Sequence, residues 1–267
     1  MNMQLGFIGG GNMAGALMGG ILGAGVLSPS EVHVYDISGP CLEGLRGKFG
    51  VQTYGDPGEM LGRSDLVVLA VKPNVAAGVL QELGDGLAGK GLISIVTGWT
   101  TDMLRKALGD ETRLLRVMPN TPALCGEGMC ALSSSCTLTE AERDFAQGMF
   151  AALGRWLWVP EELMEAVVGV SGSGPAYGYL FIEALADAGV EMGLARDQAV
   201  LMAAQTLKGA AEMVLATGQH PGALKDAVCS PGGTTIRGVR ALEERGFRTA
   251  VKGGALAAWE RARELKA

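Results

Sequence analysis

The sequence predicts an α/β domain built on a parallel sheet, followed by an all-helical domain, and three observations carry that prediction. Up to about residue 160, short β-branched runs alternate with stretches whose apolar residues recur at helical spacing, the pattern of a parallel sheet covered by helices. A glycine-rich loop joins the first of these runs to the first helix. Beyond Pro160 the strand signals stop, and Gly, Pro and Ser punctuation separates helix-like segments only. We therefore expect two domains, residues 1–160 and 161–267.

The first run, "QLGFIG", reads as a buried strand. No charged side chain occurs in the first 30 residues, yet no basic residue precedes the apolar part and glycines interrupt it, so a strand and a helix fit better than a signal peptide or membrane span. "GFIGGGNMAGAL" then places Gly9, Gly11 and Ala14 in a G-x-G-x-x-A arrangement. The first glycine permits the tight turn, the second lets backbone approach a pyrophosphate, and the small third residue lets helix and strand pack. A plain turn would also use glycines. The position at the first strand–helix junction makes dinucleotide binding the better reading, with Gly9, Gly11, Asn12 and Met13 facing the cofactor.

"EVHVYD" is the next strand, and Asp36 at its end stands roughly 20 residues beyond the loop, where an acidic side chain accepts hydrogen bonds from an adenosine ribose. The alternative role is to cap the helix that begins near Pro40. A carboxylate there repels a 2′-phosphate, so residue chemistry favours NADH. "DLVVLAVKP" ends in Ala70, Lys72 and Pro73 at the carboxyl edge of the sheet, where Lys72 is either a solvated lysine or a neighbour of the cofactor phosphates. "GLISIVTG" and "RLLRVMP" are further strands, and Met129 to Ser133 and Arg155 to Val159 extend the sheet edge.

The second half reads as helices over "EELMEAVVGV", "PAYGYLFIEALADAGVEMG", "RDQAVLMAAQTLKGAAEMVLATG", "GALKDAV" and the last thirty residues. The segment "QAVLMAAQTLKGAAEMVLA" carries only Lys208 and Glu212 as charges and is apolar nearly all round, which calls for a partner surface. "SPGGTTIRGVRALEE" loads a helix entrance with bare backbone and small hydroxyls. Unpaired N–H groups at a helix amino terminus supply fixed donors for an anion, and Gly232 and Gly233 remove side chains that would block its approach. The simpler account is that Ser230 caps the helix, with Pro231 and the glycines as turn residues.

Composition bounds the function. The balance of 22 basic and 28 acidic residues gives a net charge of −6 with no Lys/Arg run, which excludes a nucleic-acid partner. The odd set Cys41, Cys125, Cys130, Cys136 and Cys229, with no close C-x-x-C pair, and only two histidines argue against a disulfide framework or a metal site, and point to the cytoplasm.

"RVMPNTPA" (116–123), "SGSGPAY" (171–177) and "SPGGTTIRG" (230–238) occur in the order and at about the distances found in pyrroline-5-carboxylate reductases, which the chain resembles from "GFIGGGNMA" to its final helices. The resemblance implies a Rossmann-type dinucleotide-binding domain, an all-α dimerisation domain, a homodimer that stacks into a larger ring, and NAD(P)H-dependent reduction of the cyclic imine to L-proline, the last step of proline biosynthesis. It also implies that Ser230 and Thr235 approach the substrate, with Gly232, Gly233 and Thr234 forming its pocket, and that Asn120, Thr121 and Pro122 lie near the nicotinamide. Asp36 departs from the small hydroxyl or amide residues often found there in members that prefer NADPH. In this chemistry a neutral Thr235 hydroxyl orients the ring nitrogen and does not act as an acid. A β-hydroxyacid dehydrogenase shares the domain plan but needs a lysine base in the helical domain near a glycine-rich turn, and no lysine occurs between Lys106 and Lys208. A nucleotide sensor without turnover would not need a second anion pocket.

Overall fold

A computed structural model describes residues 3–265. Strand and helix alternate as β1 (Leu5–Ile8), α1 (Asn12–Gly23), β2 (Val32–Tyr35), α2 (Gly39–Phe49), β3 (Gln52–Tyr54), α3 (Pro57–Gly62), β4 (Leu66–Leu69), α4 (Pro73–Leu87), β5 (Gly91–Ser94), α5 (Thr101–Leu108) and β6 (Arg113–Met118). β7 (Gly128–Ser133), α6 (Glu140–Ala151) and β8 (Gly154–Val159) complete one sheet of eight strands in the order β3-β2-β1-β4-β5-β6-β7-β8. Strands β1 to β6 are mutually parallel, β7 runs antiparallel to β6, and β8 pairs parallel with β7. Every strand read from the sequence is present. β3 was not foreseen, because three half-exposed edge residues carry no periodic signal.

The central strands β1, β4 and β5 are buried on both faces, which explains their near-continuous apolar sequences. Alternate residues point to opposite sides. Leu5, Phe7, Leu66 and Val68 pack with Leu17 and Ile21 of α1, Leu42 of α2 and Phe150 of α6. Ile8, Val67 and Leu69 pack with Met60 of α3, Leu80 of α4 and Leu104 of α5. Each such fully buried side chain contributes about 1.5–3 kcal/mol relative to exposure. Chain order reverses between β1 and β4, so the helices that follow these strands lie on opposite faces and leave a crevice at the carboxyl ends of the strands.

After β8 the run "EELMEAVVGV" is helical in three tight pieces: a 3₁₀ turn (Glu161–Leu163), α7 (Met164–Val167) and a π-helical turn (Val168–Gly172). The first compact unit extends through this segment to Gly172 and takes in residues from Ala258 onward; the second covers Ser173–Ala257. The segment stays with the sheet because Glu161 and Glu165 pair with Arg116 of β6.

The second unit holds α8 (Gly174–Glu191), α9 (Arg196–Thr217), α10 (Pro221–Ala227), α11 (Thr234–Glu244) and most of α12 (Phe247–Glu264). α8 and α9 approach closely through Ala186, Gly189, Ala199 and Ala203, where a Cβ on Gly189 would lie 3.0 Å from that of Ala199. Only Ala199 and Ala203 of α9 are buried, while Leu201, Met202, Met213 and Leu215 are exposed. By length and composition alone α9 is apolar enough to cross a membrane, with a mean hydropathy of 1.2.

Candidate active site

The loops after β1, β2, β4, β5 and β6 all emerge at one edge of the sheet, since these strands are parallel. Gly9 has φ +97°, and a Cβ there would stand 2.7 Å from the Ala70 carbonyl oxygen, so only glycine lets β1 and β4 come this close. Gly11 is exposed, and a Cβ on it would meet no heavy atom within 4 Å. It is also the N-cap of α1, provides no side-chain cap, and is followed by no acidic residue in the first turn. The N–H groups and the positive end of the α1 dipole therefore face open space at Asn12 and Met13, and Ala14 is buried at the packing position of the motif. A pyrophosphate fits this entrance.

Gly10, between the two motif glycines, is held from both sides. Its N–H donates to Asp36 Oδ2 at 2.8 Å, and the Cys41 thiol donates to its carbonyl oxygen at 3.2 Å. Because a trans peptide sets a carbonyl and the following N–H on opposite sides, this hold faces the Gly11 N–H away from Cys41. The second Asp36 oxygen accepts from the Ser38 N–H at 2.8 Å. The helix cap expected as the alternative role of Asp36 falls to Ser38, whose hydroxyl accepts from the Cys41 N–H. Asp36 stays half-buried, with lone pairs to spare for a ribose. Ile37, passed over in the sequence, is a large apolar side chain 93% exposed beside it. Lys72 is exposed as the N-cap residue of α4, and Pro73 takes the first helical position.

At the β5 and β6 end lies a buried charge network that sequence reading did not foresee. Arg116, 1% exposed, donates to Glu161 Oε1 and to Glu165 Oε1, both at 2.9 Å. Glu161 also accepts from the Thr101 N–H (3.1 Å), the Thr101 hydroxyl (3.0 Å) and the Ser133 hydroxyl. Burial pushes the Glu161 carboxyl up, and the Ser133 and Thr101 donors with the Arg116 cation together bring it below its usual range. The signal was available: Arg116 interrupts the apolar strand "RLLRVM", and Glu161 and Glu165 are four residues apart on one helical face. Asn120, at the end of "RVMPN", is 8% exposed; its Oδ1 accepts from the Met129 N–H (2.9 Å) and its Nδ2 donates to the Ser171 carbonyl (3.1 Å). Thr121 and Pro122 begin the 3₁₀ turn that follows.

In the second unit, Ser230–Gly233 is a turn closed by the Gly233 N–H donating to the Ser230 carbonyl at 3.0 Å. Pro231 and Gly232, with φ +69°, take the two central positions, as a type II turn requires. Pro231 thus lies in the turn, ahead of the helix, which begins at Thr234. The N-cap of α11 is Gly233, and no side chain caps the helix. A Cβ at Gly233 would stand 2.2 Å from Ser230 Oγ, so the hydroxyl occupies the space that the glycine leaves. Thr234 and Thr235 open the helix and are exposed. Tyr177 donates to the Gly254 carbonyl at 3.2 Å. Both ring nitrogens of His33 are engaged by Tyr54 and Gln4, and His220 accepts from the Gly222 N–H.

A family model described as pyrroline-5-carboxylate reductase dimerisation matches residues 161–265, and one described as NADP oxidoreductase, coenzyme F420-dependent, matches residues 4–98. The pyrroline-5-carboxylate reductase of Escherichia coli K12 is 44% identical over 252 residues, 94% of each chain. The chain belongs to the pyrroline-5-carboxylate reductase family. Solved family structures agree along its whole length: that of Plasmodium falciparum with NADP bound has a TM-score of 0.91 at 34% identity, covering 100% of this chain and 99% of that one. That of Coxiella burnetii has a TM-score of 0.91 at 37% identity, with 100% of both chains covered. This pyrroline-5-carboxylate reductase is an NAD(P)H-dependent oxidoreductase that converts 1-pyrroline-5-carboxylate to L-proline, the last step of proline biosynthesis. Its residues 161–265, including the exposed apolar helix α9, form the dimerisation domain.

Proposed function

We propose that this reductase uses two uncapped helix entrances, one for each anion. The α1 entrance takes the cofactor pyrophosphate, with Gly9, Gly11, Asn12 and Met13 against it, Asp36 at the ribose, and Ala70, Lys72 and Pro73 along the phosphates. The segment 120–122 serves the nicotinamide end, with Asn120 taking part through its backbone. The α11 entrance takes the substrate carboxylate on its free N–H groups; Gly232, Gly233 and Thr234 shape it and Ser230 lines it. The observation that carries this reading is that both helices begin on a glycine with no side-chain cap. Bound NAD(P)H supplies the hydride that reaches the C=N carbon. Thr235 hydrogen-bonds the ring nitrogen and holds the imine in line, while the proton comes from water or is already present on the iminium. Residues 1–160 form the cofactor domain and 161–267 the substrate and dimerisation domain.

Asp36 is proposed to set cofactor choice. NADH is expected to serve at least as well as NADPH, and Asp36→Ser to shift the ratio of specificity constants several-fold towards NADPH. Repulsion of a 2′-phosphate by a half-buried carboxylate is worth about 1 kcal/mol or more at an effective dielectric near 20. Steady-state assays of pyrroline-5-carboxylate reduction with both cofactors in parallel check this, and an unchanged ratio would mean that Asp36 serves only Gly10 and Ser38.

The exposed apolar residues of α9 support an obligate homodimer built through residues after Pro160. Light scattering at low concentration is expected to find dimers or larger assemblies, and a stable, active monomer would rule this out. We extend the proposal to a ring of dimers in the cytoplasm, which sedimentation and cell fractionation test.

A further inference from the structure

We infer that Asn120 is a positioning residue of the reductase site, one that locks the Val168–Gly172 turn to the carboxyl edge of the sheet. Its amide oxygen and one of its two amide hydrogens are engaged by the fold. The oxygen faces a backbone N–H, that of Met129, and the nitrogen faces a backbone carbonyl, that of Ser171, so only one orientation of the amide satisfies both partners. With one acceptor and one donor used and the residue buried, the side chain acts on ligands through the turn it holds. Asn120 is also the N-cap residue of its own 3₁₀ turn, yet its side chain makes no cap bond there and reaches Ser171 instead. This one hydrogen bond joins "RVMPN" to "SGSGP", two motifs 51 residues apart.

Three features connect this tie to the reaction and not only to the fold. Arg116 already fastens the start of the same segment to the same strand through Glu161 and Glu165, so Asn120 is not needed to keep the segment attached. What it adds is the placement of the last turn. That turn is π-helical, a widened geometry found mostly at functional sites, and it presents Val170 exposed and Ser171 partly exposed. Both ends of the tie also lie beyond the carboxyl end of β6, where ligands of parallel sheets sit. The inference rests on the proposal above that residues 120–122 serve the nicotinamide end.

Asn120→Asp tests it, because the carboxylate can still accept from Met129 but cannot donate to Ser171. Four quantities are compared with the wild type: melting temperature, the dissociation constant of NADPH by fluorescence, kcat and KM for pyrroline-5-carboxylate, and hydrogen exchange of the peptide covering 168–174. We expect kcat/KM to fall about tenfold or more, the scale of a misplaced reacting group, with NADPH affinity within about twofold and faster exchange in that peptide. Asn120→Ala should behave alike, and if it does not fold Asn120→Asp alone decides. Faster exchange with unchanged kcat/KM overturns the inference and makes the tie purely structural. NADPH affinity falling in parallel with kcat also overturns it, because the Asn120 side chain then touches the cofactor directly. Unchanged exchange and unchanged kinetics overturn it too. A wild type that binds NADPH but reduces no pyrroline-5-carboxylate would instead strike the proposed function of the site.

Discussion

Thr235→Ala is expected to lower the turnover of pyrroline-5-carboxylate by roughly 10-fold or more while leaving folding and cofactor affinity nearly intact. One lost positioning hydrogen bond of about 1.5 kcal/mol or greater accounts for that factor. Thr235→Ser keeps the hydroxyl and should recover much of the loss. A capping role predicts a different pattern, with a lower melting temperature, near-normal turnover and greater sensitivity at Ser230. The structure makes Gly233 the N-cap and gives α11 no side-chain cap bond, so Ser230→Ala should cost little stability. Melting temperature and single-turnover rate measured on wild type, Thr235→Ala and Thr235→Ser separate the two patterns. Full activity in a destabilised Thr235→Ala protein would end the catalytic assignment.

Arg116→Met is expected to have the largest effect on stability, about 3–5 kcal/mol, because it removes a buried cation from one buried and one partly buried carboxylate while filling much of its volume. For a chain of this size that corresponds to a fall in melting temperature on the order of 10 °C. The wild-type network also has a pH signature. The Glu161 carboxyl titrates below its ordinary value of 4.5 in the fold, so its contribution is fully present above that value and is lost as pH falls through the lowered one. In Arg116→Met the Glu161 carboxyl keeps the Ser133 and Thr101 donors but loses the Arg116 cation, so mild acid should close part of the gap to wild type. Thermal melts at pH 7.5 and pH 5 check both points; equal melting temperatures at pH 7.5 would show that the pair contributes nothing net.

The fold was legible because its signals are local. Apolar strands, glycine punctuation and the switch of period near Pro160 each follow from residues close in sequence, and so does the glycine loop at the first strand–helix junction. The site was legible only as motifs. Which way a side chain turns depends on partners far along the chain, and Asn120, read from the resemblance as a cofactor neighbour, turns its amide onto Met129 and Ser171. Asp36 likewise spends part of its carboxylate on Gly10, a contact between two strand ends that no periodicity encodes. Arg116 could have been suspected as a charge inside an apolar strand, but its partners 45 and 49 residues away could not. The domain division read at Pro160 follows loss of strand signal, whereas the compact unit continues to Gly172 because buried ion pairs hold that helical segment on the sheet.

The most direct measurement is a crystal structure of the reductase with NADPH or NADH and L-proline bound. The pyrophosphate is expected at the start of α1 over Gly11, and the proline carboxylate accepting hydrogen bonds from backbone N–H groups at the start of α11, with the Thr235 hydroxyl at the ring nitrogen. A carboxylate held by a charged side chain elsewhere, with the α11 entrance filled by water, would contradict this placement.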